Sequence, residues 1–233
     1  MSLTESAPTE LRSRLALALD FDDAVEAQRI AKELSPWFGV AKVGLELFSA
    51  AGPPIVQTLI DDGYQVFVDL KMADIPTTVR RAARVLGALG VSYLTLHAFA
   101  GSAVLRAGVE GLTEGADRAG LPVPSALAVT ILTSDADAPP HILGKRVAAA
   151  IEARCAGVVC ATSDVAEAKL LAPRLITVVP GLRTAGSPVN DQARSATPGE
   201  ALAAGADILV IGRAVTAATD RAAAAATLVS SIV

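Results

Sequence analysis

Short, nearly continuous aliphatic runs alternate with longer amphipathic segments along the whole chain, and this rhythm limits the fold more than any other feature. The runs are Leu15–Asp20, Gly39–Gly44, Gln65–Leu70, Ser92–His97, Ser125–Ile131, Gly157–Cys160, Leu175–Val179 and Ile208–Ile211. Stretches such as Val66-Phe67-Val68 and Ile208-Leu209-Val210-Ile211 lack the apolar–polar alternation of a half-exposed strand. They suit parallel strands covered on both faces. The intervening segments have helical spacing: Ala24–Leu34, Pro54–Asp62, Thr77–Leu89, Ser102–Gly111, Gly144–Arg154, Ser163–Leu171, Pro198–Ala204 and Thr219–Ile232. Asp22-Asp23 can cap the first of them, and Pro76 and Gly90 bracket the third. Eight pairs in 233 residues give about 29 residues per repeat, near the roughly 30 that a βαβ unit needs.

Two α/β architectures accommodate such repeats, a closed (β/α)8 TIM barrel and an open doubly wound sheet. The open dinucleotide-binding sheet calls for Gly-x-Gly-x-x-Gly after its first strand, but that strand runs into Leu19-Asp20-Phe21-Asp22-Asp23, without a glycine. The sequence therefore predicts a single-domain barrel over residues 15–233 behind a short polar tail, residues 1–14. At 52% hydrophobic residues the chain can bury enough surface to offset its ordering entropy, and with five Phe, two Tyr and one Trp its core is aliphatic. A balance of 20 Lys+Arg against 24 Asp+Glu gives a net charge of −4, which argues against a nucleic-acid partner. The tail has no apolar leader core, and no apolar run approaches the roughly 18 residues of a membrane span. The expectation is a cytoplasmic protein without membrane contact, with Cys155 and Cys160 as small buried hydrophobes.

Barrel enzymes place their chemistry at the C-terminal ends of the strands. Reading those ends yields Asp20, Lys42, Asp69-Leu70-Lys71-Met72-Ala73-Asp74, His97, Thr130, Thr133, Pro180-Gly181-Leu182-Arg183 and Gly212-Arg213. Lys42, set among Val40, Ala41 and Val43, either snorkels to water or enters the barrel mouth, where it needs a carboxylate. Strand alternation puts Asp69 and Lys71 on one face, with Asp74 in the following turn. Lys42, Asp69, Lys71 and Asp74 can thus form an alternating network that keeps a lysine charged, a proton donor and clamp for a developing anion. A structural ion-pair cluster at the rim is the alternative. Gly212-Arg213 occupies the usual barrel phosphate position, and the long connection from Pro180 to Thr197 offers Arg183, Gln192 and Arg194 as a lid. With two histidines, His141 beside Pro139-Pro140 and His97 at a strand end, no metal site is expected. These residues point to an enzyme that works on a small phosphorylated anion by Lys and Asp chemistry, without a nucleotide cofactor.

The same residues fall in segments that resemble the bacterial orotidine 5′-phosphate decarboxylase family along nearly the whole chain. The segments are Leu17–Asp20, Lys42–Phe48, Asp69–Val79, Leu96-His97-Ala98, Ala128–Ser134, Pro180–Arg183, Asn190–Arg194, Gly205-Ala206-Asp207 and Gly212-Arg213. The resemblance implies cofactor-free decarboxylation of orotidine 5′-monophosphate to uridine 5′-monophosphate, the last step of de novo pyrimidine synthesis. It implies that Lys71 protonates C6 as carbon dioxide leaves, that Asp69 sits beside the departing carboxylate, and that Lys42 and Asp20 serve the network and the ribose. Thr133 would contact the base, and Arg183, Gln192, Gly212 and Arg213 would bind phosphate and close the lid. Asp74, Ile75 and Thr78 would reach a neighbouring subunit's site, making a homodimer. One departure is Met72-Ala73, where the family usually has Leu-His; local packing or interface differences are expected from it. Metal-dependent sugar-phosphate relatives share Asp-x-Lys-x-x-Asp, but typically carry Glu at the Lys42 position and Gly at that of Ile75. A silent phosphate-binding barrel would have no use for four retained charges.

Overall fold

The computed structural model describes residues 6–135, 138–183 and 196–233. Eight strands close into a barrel in chain order, each parallel to both neighbours. They are β1 (Leu15–Leu19), β2 (Val40–Gly44), β3 (Gln65–Met72), β4 (Tyr93–His97), β5 (Ser125–Val129), β6 (Gly157–Val159), β7 (Ile176–Val179) and β8 (Ile208–Ile211). The helices begin with α1 (Thr9–Arg12), α2 (Ala24–Leu34), α3 (Leu45–Ala51), α4 (Pro53–Asp61), α5 (Pro76–Gly87) and α6 (Ser102–Ala119). They continue with α7 (His141–Glu152), α8 (Thr162–Leu171), α9 (Pro198–Ala203), α10 (Arg213–Thr216) and α11 (Arg221–Ser230). Each strand therefore lies between two parallel partners and under helices, which is why its sequence reads as a solid aliphatic run.

Alternation divides the core in two. Leu15, Leu17 and Leu19 of β1, with Ala41, Val43, Val66, Val68, Leu94 and Leu96, pack outward beneath the helices. Ala16, Ala18, Val40, Phe67, Leu127, Val129, Val159, Val178, Ile208 and Val210 fill the barrel interior. The outer helices meet this wall along one stripe. In α2, Ala27, Ile30, Ala31 and Leu34 are buried at helical spacing, and the Asp23 side chain caps its start by accepting the Glu26 N–H at 2.8 Å. Thr197 and Glu200 form a reciprocal capping box at the start of α9.

Besides the short helices α1, α3 and α10, which the sequence pattern did not predict, three departures from the sequence expectations matter for the fold. First, the stretch expected as a polar tail is, over its described residues, built into the barrel floor. Ala7 is buried, Gly39 N–H donates to the Arg12 carbonyl at 2.8 Å, and Leu209 N–H donates to that of Arg14 at 2.9 Å. The Arg14 guanidinium also holds the carbonyls of Ala206 and Asp207. Second, α6 does not stop at Gly111 but runs to Ala119. Its glycines are contact points, not breakers: a Cβ at Gly111 would lie 2.2 Å from the Arg80 carbonyl oxygen, and one at Gly115 2.0 Å from that of Arg84. Only bare backbone lets α6 settle this close to α5. Third, β3 continues past Leu70 to Met72, and it does so by an irregular route that shapes the site.

Candidate active site

The inward side of each strand changes character along its length. Ala16 and Ala18 lead to Asp20, Val40 leads to Lys42, Phe67 leads to Asp69, and Tyr93 leads to Thr95 and His97. Apolar layers therefore plug the barrel, and a polar layer floors a cavity of about 720 Å³ at the strands' C-terminal ends. Asp20, Lys42, Glu46, Asp69 and Lys71 line one side of it, and Thr133, Arg183, Gly212 and Arg213 also line it.

Lys42 enters the mouth and does not snorkel away: its side chain is 9% exposed, with Nζ 2.9 Å from Asp20 Oδ1 and 3.8 Å from Asp69 Oδ2. Lys71 Nζ lies 2.9 Å from both carboxylate oxygens of Asp69. Asp69 is thus the anion shared by two lysines, and the chain of charges runs Asp20–Lys42–Asp69–Lys71. Within one chain Asp20 fills the place that the sequence gave to Asp74. Asp74, Ile75 and Thr78 are exposed and do not line the cavity, and Asp74 Oδ1 accepts the adjacent Ile75 N–H at 2.6 Å. Burial pushes the Asp69 carboxyl up. The two ammonium groups and the hydrogen bonds from Lys71 and Thr95 pull it down further, leaving it below its ordinary value.

Asp69 and Lys71 do meet on one side, but not by the simple alternation expected. Lys71 has φ +48°, a left-handed conformation unusual for a side chain with a Cβ, and the β3–β4 register shifts between Val68 and Met72. The bulge brings the ammonium back over its neighbour's carboxylate. Gly44 is a second local requirement, since a Cβ there would lie 2.8 Å from Asp20 Oδ1 and 3.2 Å from Lys42 Nζ. A side chain at that position would occupy the space of the Asp20–Lys42 pair.

The remaining candidates separate cleanly. His97 is buried, packs edge-on against Phe99 with ring centroids 4.4 Å apart, and is held below its ordinary pKa first by burial and then by Arg146 and Lys71. Thr130 is buried and donates to the Val159 carbonyl at 2.8 Å, a bond that ties strands together. Gln192 and Arg194 lie outside the described residues. Among the described residues no group of three or more His, Cys, Asp or Glu side chains is placed to hold a metal ion. Sequence reasoning missed Thr95, Gly44 and Glu46. Thr95 shares its inward side with His97, two residues on, and that spacing is its signal in the sequence.

Residues 13–228 match the model of the orotidine 5′-phosphate decarboxylase / HUMPS family. An orotidine 5′-phosphate decarboxylase of Moorella thermoacetica is 41% identical over 100% of this chain and 97% of its own. One from Anaeromyxobacter dehalogenans is 42% identical over 94% of this chain and 98% of its own. The crystal structure of the Lactobacillus acidophilus orotidine 5′-phosphate decarboxylase superposes with a TM-score of 0.77 at 32% identity, covering 94% of this chain and 99% of that one.

Proposed function

The chain belongs to the orotidine 5′-phosphate decarboxylase / HUMPS family, and on that premise we propose that its barrel, residues 15–233, converts orotidine 5′-monophosphate to uridine 5′-monophosphate and carbon dioxide with Lys71 as the proton donor. The reaction is that of a carboxy-lyase and closes the synthesis of UMP. The observation that carries the assignment is the Asp20–Lys42–Asp69–Lys71 chain in a cavity that Arg183, Gly212 and Arg213 also line. A nucleotide with a carboxylate on its base and a phosphate at its far end matches that arrangement.

Loss of carbon dioxide leaves an electron pair on C6 that the pyrimidine ring delocalises poorly, so the site must meet negative charge where it develops. Lys71 Nζ, fixed by two contacts to Asp69, is a preplaced cation at that point and gives its proton to C6 as the C–C bond breaks. Asp69 lies beside the departing carboxylate; held ionised by its lysines, it disfavours the substrate's own charge and not that of the product. Lys42 and Asp20 hold ribose hydroxyls, and Thr133 meets the base. Arg183, Gly212 and Arg213 take the phosphate, with Gln192 as a further phosphate ligand. That grip at a distance from the reacting carbon is binding energy available to position the reacting end.

A homodimer completes the site in this reading. Asp74, Ile75 and Thr78 follow Lys71 closely in sequence, yet stand exposed outside their own cavity, with Ile75 65% exposed. They are available to a second copy of the chain, where Asp74 would be the other carboxylate near Lys71. Two buried cysteines suit a reducing cytoplasm, and no described helix is long and apolar enough to cross a membrane. Absorbance loss from orotidine 5′-monophosphate, measured with and without a chelator, tests the reading. Equal turnover in both supports it; no turnover overturns it, and turnover abolished by the chelator transfers the chain to metal-dependent chemistry.

A further inference from the structure

The register between β3 and β4 contains an unusual mismatch. Val68 pairs with Leu94 and Met72 pairs with Leu96, so Asp69, Leu70 and Lys71 stand opposite the single residue Thr95. Surplus residues in one strand break the ladder and leave backbone groups without their usual partners. Here the Thr95 side chain supplies what the ladder lacks. Its Oγ1 accepts the Lys71 N–H at 2.9 Å, and its hydroxyl donates to Asp69 Oδ1, also at 2.9 Å. Thr95 is fully buried, so water does not offer an equivalent partner.

We infer that Thr95 is a positioning residue for the decarboxylation: its hydroxyl clamps the β3 bulge and so aims Lys71 and Asp69 at the reacting carbon. The inference rests on the reaction assigned above. A left-handed backbone at Lys71, φ +48°, carries a steric cost and persists only where its surroundings hold it. The clamp ties that backbone to the carboxylate that fixes the same residue's ammonium, so a single hydroxyl sets both ends of the Lys71 side chain. Asp69 is faced by Lys42 from β2, by Lys71 from its own strand and by Thr95 from β4. His97, further along β4, is held below its ordinary pKa. Of the three groups in contact with Asp69, Thr95 alone is uncharged, so replacing it alters hydrogen bonding without altering charge. Its bond also helps keep the Asp69 carboxyl low.

The test compares Thr95→Val, which keeps the shape and removes the hydroxyl, with Thr95→Ser, which keeps the hydroxyl. Thr95→Val is expected to lower kcat on the order of 10- to 100-fold, as loss of an orienting hydrogen bond does, with KM and UMP affinity within a few-fold of wild type. The acid limb of its kcat profile moves to higher pH, because Asp69 loses a donor to its charged form. Thr95→Ser restores both the rate and the limb. A Val variant with wild-type kcat overturns the inference, as does a Ser variant that fails to restore it. A loss of thermal stability and UMP binding that parallels the loss of rate assigns Thr95 to packing instead. Amide hydrogen exchange on the wild-type chain covers the case in which Thr95→Val does not fold: the Lys71 amide is expected to be strongly protected, and rapid exchange refutes the clamp. If the wild type does not turn over orotidine 5′-monophosphate, the reaction assignment fails, and a protected Lys71 amide then separates that failure from failure of the clamp.

Discussion

Replacing Asp69 with Asn removes the anion shared by Lys42 and Lys71 while keeping its size. At an effective dielectric of about 20, unit charges at the observed 2.9 Å to Lys71 and 3.8 Å to Lys42 attract by roughly 6 and roughly 4 kcal/mol. Desolvation of the three charges offsets most of that sum. Two features soften the remainder: Lys71 is 34% exposed, so water screens it once released, and Lys42 retains Asp20 at 2.9 Å. The expected net loss is therefore about 3 kcal/mol at pH 7, the low end for breaking a buried pair. Its pH dependence has a definite sign. The folded Asp69 carboxyl lies below its unfolded value, so its stabilisation is complete above about pH 5 and fades as pH falls below about 3.9 towards the lowered folded value. Urea unfolding of wild type and Asp69→Asn at several pH values between 7 and 3 measures the gap directly. A gap below about 1 kcal/mol at pH 7, or one that does not narrow in acid, refutes the charge chain as drawn.

Three further outcomes follow from the same geometry. Gly44→Ala forces a methyl group into contact with Asp20 Oδ1 and Lys42 Nζ, so KM for the nucleotide should rise about 10-fold or more, with the fold intact by circular dichroism. Gly115→Ala gains about 1 kcal/mol of helix propensity, yet its Cβ would sit 2.0 Å from the Arg84 carbonyl oxygen. A net loss of roughly 2 kcal/mol or more in denaturant unfolding is expected as α6 is pushed off α5. The buried Cys155 thiol is pushed up to about 12 by burial, so it should resist aromatic disulfide reagents at pH 8 in the native chain and react promptly in urea.

The α/β repeat was legible because its strands are covered on both faces and so read as solid aliphatic runs at a steady spacing, and the missing glycine fingerprint after Leu19 favoured the closed barrel over the open sheet. Asp20, Lys42, Asp69 and Lys71 were legible for a related reason, since polar side chains at the ends of such runs have few places to go but the mouth. What escaped depends on contacts between segments distant in sequence. Gly111 read as a helix stop because its closeness to Arg80 is invisible along the chain. Residues 1–14 read as a polar tail outside the barrel because the sequence does not reveal that Gly39 and Leu209 donate to Arg12 and Arg14. Thr95 looked like any strand threonine, since its partners are set by a register shift between two strands. The Asp69–Lys71 contact was expected from alternation and arises from a bulge, so the right neighbours came from the wrong geometry.

The role of Lys71 is tested most directly by the single-turnover rate of orotidine 5′-monophosphate decarboxylation in Lys71→Ala, with chelator present and the nucleotide bound to saturation. With the cation and its proton both gone from the point where the C6 electron pair develops, the rate should fall by at least about 1000-fold while UMP still binds and the barrel stays folded. A variant that decarboxylates within about 10-fold of wild type would contradict the assignment of Lys71 as the proton donor.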